Sequence, residues 1–232
     1  MRFNVESSPF GRIVVPGNVP RDKALLYTTI DFHGRLDHTV ARQFGDFIAA
    51  RFGVEATLAT CTQIHSANVE RAPLQSRWRE CDACDALWTS ERHVALGIKI
   101  ADCLPVSIIA PDTIANIHSG WRGAVQNITR ATLDAMHTDF THASAYLGPT
   151  IRVCCFEVGE ELALQFPAEF VDRTHAKPHV DVVAFTAAVL RERGFTDDCI
   201  FDSGLCTRCG GSIFHSYRRG KTTGRNLAIV AQ

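Results

Sequence analysis

Apolar residues recur along this chain at two spacings. From Thr39 to Phe52, the residues Val40, Phe44, Phe47 and Ile48 fall at helical intervals, and Gly53 follows. That pattern predicts a helix ended by glycine. Asp181 can cap a second helix running to Arg193 and closed by Gly194. A third helix is predicted from about Gly123 to His137, with Ile128, Ala131, Leu133 and Ala135 apolar. A fourth is predicted from Glu157 to Phe166, stopped by Pro167. Between these lie short runs that read as strands: Thr57 to His65, Val94 to Ile100, Val106 to Ile109, Thr113 to Ile117 and Ala143 to Leu147. Further short strands are predicted near Ile200, from Ile213 to Tyr217 and from Leu227 to Val230. Strands interspersed with helices, and few tight hairpin signals, predict an α+β fold with mixed β-sheets and flanking helices. No long Pro-, Gly- or Ser-rich linker divides the chain, so residues 1–232 are read as one domain.

Composition narrows the function classes. Hydrophobic residues make up 46% and charged residues 21%, which excludes a disordered chain. A net charge of −1 is a poor footprint for a general nucleic-acid binder. No apolar run approaches the ~18 residues of a membrane span. The N-terminal Met1–Glu6 stretch lacks the apolar region of a signal peptide. Nine cysteines, an odd number without an export signal, fit reduced thiols in a cytoplasmic protein better than a disulfide framework. Most are expected to serve as small buried apolar residues.

Several catalytic signatures are absent. None of the ten histidines has Glu two residues on, which rules out the zinc deaminase motif. There is no zinc-protease helix and no Gly-x-Ser-x-Gly elbow. Gly220-Lys221-Thr222 looks like the tail of a phosphate loop, but His215 stands where its first Gly is required. Three segments instead place a metal-binding side chain at a predicted strand end: Gln63-Ile64-His65, Ala101-Asp102-Cys103-Leu104-Pro105 and Ile117-His118-Ser119-Gly120. Two imidazoles and one thiolate match zinc, and three protein ligands leave a fourth position open, as in catalytic sites. Each residue has an ordinary alternative as a half-buried His or a core Cys.

Taken together, these segments resemble the YfiH family, also called the laccase-domain or polyphenol-oxidase family. The resemblance extends through Asp85-Ala86-Leu87-Trp88-Thr89, His118-Ser119-Gly120-Trp121-Arg122-Gly123, Leu147-Gly148-Pro149-Thr150-Ile151 and Cys154-Cys155-Phe156-Glu157-Val158-Gly159. It continues through His179-Val180-Asp181, Ser216-Tyr217-Arg218-Arg219 and Thr223-Gly224-Arg225. The motifs occur in family order from about residue 60 onward. The chain departs from the family between Tyr27 and Gly34, where a Thr-Arg-x-Gly-Gly-like turn is lost. It departs again at Ser66, usually Gly, and at His215, usually aromatic.

The resemblance implies a four-layer αββα sandwich and one catalytic zinc held by His65, Cys103 and His118. It implies purine nucleoside chemistry: phosphorolysis of adenosine, inosine, guanosine and methylthioadenosine with phosphate as co-substrate, and hydrolytic deamination of adenosine. Arg218, Arg219, Lys221 and Arg225 form the densest basic cluster, from which Arg218 or Arg219 is expected to face the site and Lys221 to be exposed. Asp102 is a candidate general base or a residue that orients backbone. Gln63 is a candidate ligand-side hydrogen bonder or a strand cap. Trp121 is read as packing beneath the site, with Arg122 paired to a buried acid. The expected partners are small-molecule nucleosides, with no nucleic acid, membrane or obligatory protein partner. Two other classes use the same residues: a cysteine hydrolase or amidase acting on a cell-wall precursor, with Cys103 as nucleophile, and a copper-dependent polyphenol oxidase. The absence of any His-x-His pair disfavours copper. A zinc knot combining Cys81-x-x-Cys84 with Cys206-x-x-Cys209 is disfavoured by their separation, and Cys154-Cys155 is expected to be packed.

Overall fold

The computed structural model describes residues 3–33, 36–75, 77–220 and 224–232. Met1, Gly34, Lys221, Thr222 and Thr223, named above, lie outside them. Three strands open the chain: β1 (Phe3–Ser8), β2 (Gly11–Pro16) and β3 (Ala24–Thr28). Helix α1 (His38–Phe52) follows, then β4 (Thr57–Cys61), β5 (Val69–Arg71), β6 (Arg79–Cys81), β7 (Ala86–Thr89), β8 (Val94–Ile100), β9 (Leu104–Ile109) and β10 (Ile114–Ser119). Next come α2 (Trp121–Val125), α3 (Ile128–Met136), β11 (Ser144–Leu147), α4 (Glu160–Ala163), β12 (Val171–Asp172) and β13 (His179–Val180). The chain finishes with α5 (Val182–Glu192), β14 (Ile200–Asp202) and β15 (Asn226–Ala231).

The strands form a seven-stranded sheet, ordered β1-β2-β3-β15-β8-β4-β6, and a six-stranded sheet, ordered β14-β11-β9-β10-β7-β5. The pair β12-β13 stands apart. Both large sheets mix parallel and antiparallel neighbours. Strand alternation explains how they stack. Along β15, Leu227, Ile229 and Ala231 pack with Phe44 and Ile48 of α1, whereas Ala228 and Val230 face the other sheet. Along the six-stranded sheet, Ile114 faces inward with Leu96 and Tyr146, whereas Val106, Ile108 and Ile117 pack under Leu133 of α3 and Leu190 of α5. Three apolar layers thus separate four structural ones, giving the αββα arrangement. Strands buried on both faces read as nearly continuous apolar runs, which is why β8, β9 and β10 were legible. One polar stitch crosses the central layer: Asn116 donates to the carbonyls of Leu96 (2.8 Å) and Ala228 (2.9 Å).

Caps account for the clearest helix boundaries. Asp37 accepts from the N–H groups of Thr39 and Val40, Gly53 closes α1 at φ 70°, and Asp181 accepts from Ala184 N at 2.9 Å. Elsewhere tertiary bonds override the local pattern. The helix expected from Gly123 to His137 is split into α2 and α3 by Asn127, at φ 63°. The helix expected from Glu157 to Phe166 shrinks to Glu160–Ala163, because Glu157 bridges to His179 and Val158 N donates to Pro178 O. Ile213–Tyr217 is a loop rather than a strand, tied to Asn226 through His215 N. The strand expected to reach His65 stops at Cys61. The N-terminal β1-β2 hairpin, turned at Gly11 with φ 85°, had no counterpart in the pattern reading.

Candidate metal centre and its cavity

Asp85 organises the site. It is fully buried at the head of β7. Its carboxylate accepts from the backbone N–H groups of Ile64 (3.2 Å), His65 (2.9 Å) and Ser66 (2.7 Å) and from the Ser66 hydroxyl (2.8 Å). These donors would belong to a ladder if β4 continued, so the carboxylate explains why the strand ends early and why His65 sits at φ 61°. Asp85 Oδ1 also lies 2.8 Å from His118 Nδ1. One carboxylate therefore fixes the backbone of His65 and the ring of His118, whose Nε2 is left facing the site. Burial works against charge on Asp85, but His118 and the Ser66 donors hold its carboxyl well below the usual range.

The two imidazoles come from different sheets. His118 lies on β10 of the six-stranded sheet, and His65 follows β4 of the seven-stranded one. Cys103 sits where the chain crosses from β8 to β9. Its Sγ is 3.9 Å from His65 Nε2, and the ligand atoms of His65, Cys103 and His118 all lie within 4.8 Å of one another. The imidazole rings are nearly perpendicular, at 81°. Two nitrogens and a sulfur converging at this range fit one zinc ion with an open fourth position. Gly120 makes room for them: a Cβ there would fall 3.0 Å from Cys103 Sγ and 3.2 Å from His65 Cδ2. Gly120→Ala should therefore weaken zinc binding while the fold persists, as zinc titration followed by circular dichroism would report.

Cys103 and His118 form a charged pair when no metal is bound. Burial opposes charge on both, yet their mutual attraction prevails. The Cys103 thiol is pulled down to about 6, helped by His65, and the His118 imidazole is pushed up to about 9 by Cys103 and Asp85. The signs follow from linkage. The thiolate's contribution to stability is present above the thiol's unfolded value and fades as pH falls through about 6. The imidazolium's contribution is full below its unfolded value and is lost as pH rises through about 9. Alkylation of Cys103 in metal-free protein should accordingly rise through pH about 6 and then level, and stoichiometric zinc should suppress it.

His65, Cys103 and His118 open into a cavity of about 550 Å³ that Trp121, Arg122, Phe156, Tyr217, Arg218 and Arg225 help to line. Arg218 borders this cavity. Its guanidinium stacks 5.4 Å from the centre of the Phe156 ring and donates to Glu157 O. Arg219 turns away and donates to the carbonyls of Thr207, Arg208 and Phe214, which makes it a brace for the loop. Both carboxylate oxygens of Asp102 are engaged, one by Thr207 Oγ1 (2.6 Å) and one by Arg218 N (2.7 Å). Asp102 thus holds backbone together beside Cys103, from a φ of 89°. Gln63 exchanges two hydrogen bonds with the backbone of Lys99, as a strand cap does. Arg122 departs from expectation. It lies over the Trp121 ring at 4.3 Å and has no acidic partner among the described residues. The motif Asp85-Ala86-Leu87-Trp88-Thr89 by itself assigns Asp85 no role. A carboxylate heading a short apolar strand was the available signal.

A four-layer αββα sandwich with a His-Cys-His donor set lining a cavity defines a class of protein. The chain belongs to the family described as multi-copper polyphenol oxidoreductase laccase, which matches residues 34–232. It is 32% identical to adenosine deaminase RL5 from an unknown prokaryotic organism, over 79% of this chain and 78% of that one. It is 30% identical to purine nucleoside phosphorylase ORF3 of Streptomyces griseus, over 97% and 89%. The fold matches that of YlmD from Geobacillus stearothermophilus with a TM-score of 0.82, at 23% identity, covering 99% and 98% of the two chains. The copper in the family's description is not matched by the donor set. Among the described residues two groups can hold a metal, and together they contain two imidazoles. A multicopper centre draws on many.

Proposed function

We propose that this chain is a zinc-dependent purine nucleoside enzyme that uses phosphate to cleave the glycosidic bond of adenosine, inosine, guanosine or methylthioadenosine and also deaminates adenosine by hydrolysis. The observation that carries this reading is the cavity itself: a three-ligand His-Cys-His set at its floor, with aromatic and cationic side chains around it. The names of the relatives, adenosine deaminase and purine nucleoside phosphorylase, support it.

His65, Cys103 and His118 would hold the zinc, which supplies a Lewis acid beside the bound nucleoside. The chain's own groups do the positioning. Trp121 and Tyr217 offer flat apolar faces to a purine. Arg122, Arg218 and Arg225 give the cavity a cationic rim suited to phosphate. In phosphorolysis a phosphate oxygen bonds to C1′ of the ribose as the bond from C1′ to the purine nitrogen breaks. The purine leaves with that electron pair and takes up a proton. Arg218, anchored by stacking and by its backbone bond to Asp102, is placed to steady the anion. Arg218→Ala should raise the KM for phosphate at least about tenfold, as removal of a charge-assisted contact does. The deamination of adenosine should be less affected.

The test is product identification with adenosine in the presence and absence of phosphate. Adenine and ribose 1-phosphate formed only with phosphate, or inosine formed without it, would support the proposal. No turnover of any of the four nucleosides by zinc-replete protein would reject it. A second reading has its own observation. The Cys103–His118 pair backed by Asp85 is also the arrangement of a cysteine hydrolase, such as an amidase acting on a cell-wall precursor. That reading requires catalysis by metal-free protein.

A further inference from the structure

Four cysteines that do not line the cavity converge elsewhere in the fold. Cys154 and Cys155 lie in the loop after β11, and Cys206 and Cys209 in the loop after β14. Their four sulfurs all lie within 4.8 Å of one another, and the Sγ atoms of Cys154 and Cys209 are 3.7 Å apart. The grouping differs from a knot of Cys81-x-x-Cys84 with Cys206-x-x-Cys209. Cys81 and Cys84 are buried between the sheets with Cys61, whereas Cys206 and Cys209 meet Cys154 and Cys155.

We propose that Cys154, Cys155, Cys206 and Cys209 bind a second, structural zinc ion. Tetrahedral zinc with Zn–S bonds of ~2.3 Å sets its sulfurs about 3.8 Å apart, close to the separation of Cys154 and Cys209. All nine cysteines are free thiols, and 3.7 Å is far beyond the ~2.05 Å of a disulfide. Sulfurs this close together surround one ion; a cluster of several irons needs its cysteines spread around a larger body. Four thiolates close the coordination shell, which is the structural arrangement and leaves no position for substrate.

The local backbone is built for such an ion. Cys206-Thr207-Arg208-Cys209 is followed by Gly210 and Gly211. Gly210 N donates to Cys206 O at 2.8 Å, and Gly211 turns the chain away at φ 77°. A Cβ at Gly210 would collide with Cys206 O at 2.3 Å, so this tight turn requires glycine. Cys154 and Cys209 are exposed, and the two loops are otherwise joined by a few bonds: Thr207 N to Thr150 O (2.9 Å), Thr150 N to Leu205 O (3.2 Å) and Arg208 Nη1 to Cys155 O (3.2 Å).

The position of the site gives it a purpose. Thr207, between two of the cysteines, donates to Asp102 next to the catalytic-site Cys103, and Arg219 caps the carbonyls of Thr207 and Arg208. A metal here locks the loop that steadies Asp102 and the start of the arginine segment. It would brace the wall of the cavity without touching a substrate, and it does not depend on the reaction proposed above.

The experiment uses whole protein purified under reducing conditions in zinc. Native mass spectrometry should find two zinc ions per chain. The double variant Cys206→Ser/Cys209→Ser should retain one, and so should His65→Ala/His118→Ala. Cobalt titrated into metal-free His65→Ala/His118→Ala should give the strong thiolate-to-cobalt absorption of a four-sulfur site. In wild-type protein, exposed Cys154 and Cys209 should resist a thiol reagent until a chelator is added. This last measurement decides the matter if the cysteine variant fails to fold. Rapid labelling of Cys154 and Cys209 in zinc-replete protein would overturn the proposal. So would a disulfide among the four, iron in place of zinc, or no zinc retained by His65→Ala/His118→Ala protein.

Discussion

His65→Ala and His118→Ala proteins should each lose the cavity's zinc and with it all measurable nucleoside turnover, while their far-ultraviolet circular dichroism stays that of the wild type. The expectation is large because a three-ligand site has no spare donor. Removing one imidazole leaves a thiolate and a single nitrogen. The fold should survive because neither side chain is part of an apolar layer. His65 is exposed and reaches the site from a turn whose shape is set by its backbone bond to Asp85, which the substitution keeps. His118 is more demanding, since alanine leaves the buried Asp85 without its imidazole partner. Some loss of melting temperature is therefore expected for His118→Ala and little for His65→Ala. Zinc content and turnover measured on the same samples check the result. Turnover retained by both zinc-free variants would remove the metal from the mechanism.

Asp85→Ala should be the most damaging single change in the molecule. The carboxylate receives five hydrogen bonds from the turn of residues 64–66 and from His118, all in a fully buried place. Deleting it strands these donors and loosens the turn that presents His65. Breaking a buried charged network by removing one partner costs about 3–5 kcal/mol, a large part of a domain's stability. Asp85→Asn separates the structural role from the electrostatic one. The amide keeps the shape, but its nitrogen cannot accept from the backbone, and its neutral oxygen no longer raises the basicity of His118. Zinc affinity in Asp85→Asn should fall about 10–100-fold, the usual effect of changing a partner that orients a metal ligand. Thermal melting and competitive zinc titration read the two effects. A variant with wild-type affinity would show that Asp85 does not orient His118.

The strands at the centre of the fold were legible because they are buried on both faces, and such segments leave long apolar runs. The apolar run Val94–Ile100 coincides with β8 to the residue. The boundaries of α1 and α5 were legible from Gly53 and Asp181, whose capping chemistry is local. What local pattern could not show was where backbone hydrogen bonds go once a distant group competes for them. The strand toward His65 was overdrawn because a buried carboxylate 20 residues away captures its N–H groups. The helix at Glu157 was overdrawn because His179 draws the same segment into a bridge. At the site, the family resemblance singles out His65, Cys103 and His118, which lie too far apart in sequence for any local motif to join them. Asp102 and Arg219, the other candidates from the motifs, each have a bracing contact set: Thr207 and Arg218 N for Asp102, and three loop carbonyls for Arg219. The grouping of Cys154 and Cys155 with Cys206 and Cys209 depends on the parallel pairing of β11 with β14, which no local motif announces.

The most direct test of the central claim is to strip the protein of zinc with a chelator, return zinc in steps, and follow bound metal and adenosine turnover together, with phosphate present. Turnover should be absent in the stripped protein and return in proportion to zinc bound at His65, Cys103 and His118. Full turnover by the stripped protein, blocked by alkylation of Cys103, would contradict the zinc account and establish the cysteine as a nucleophile.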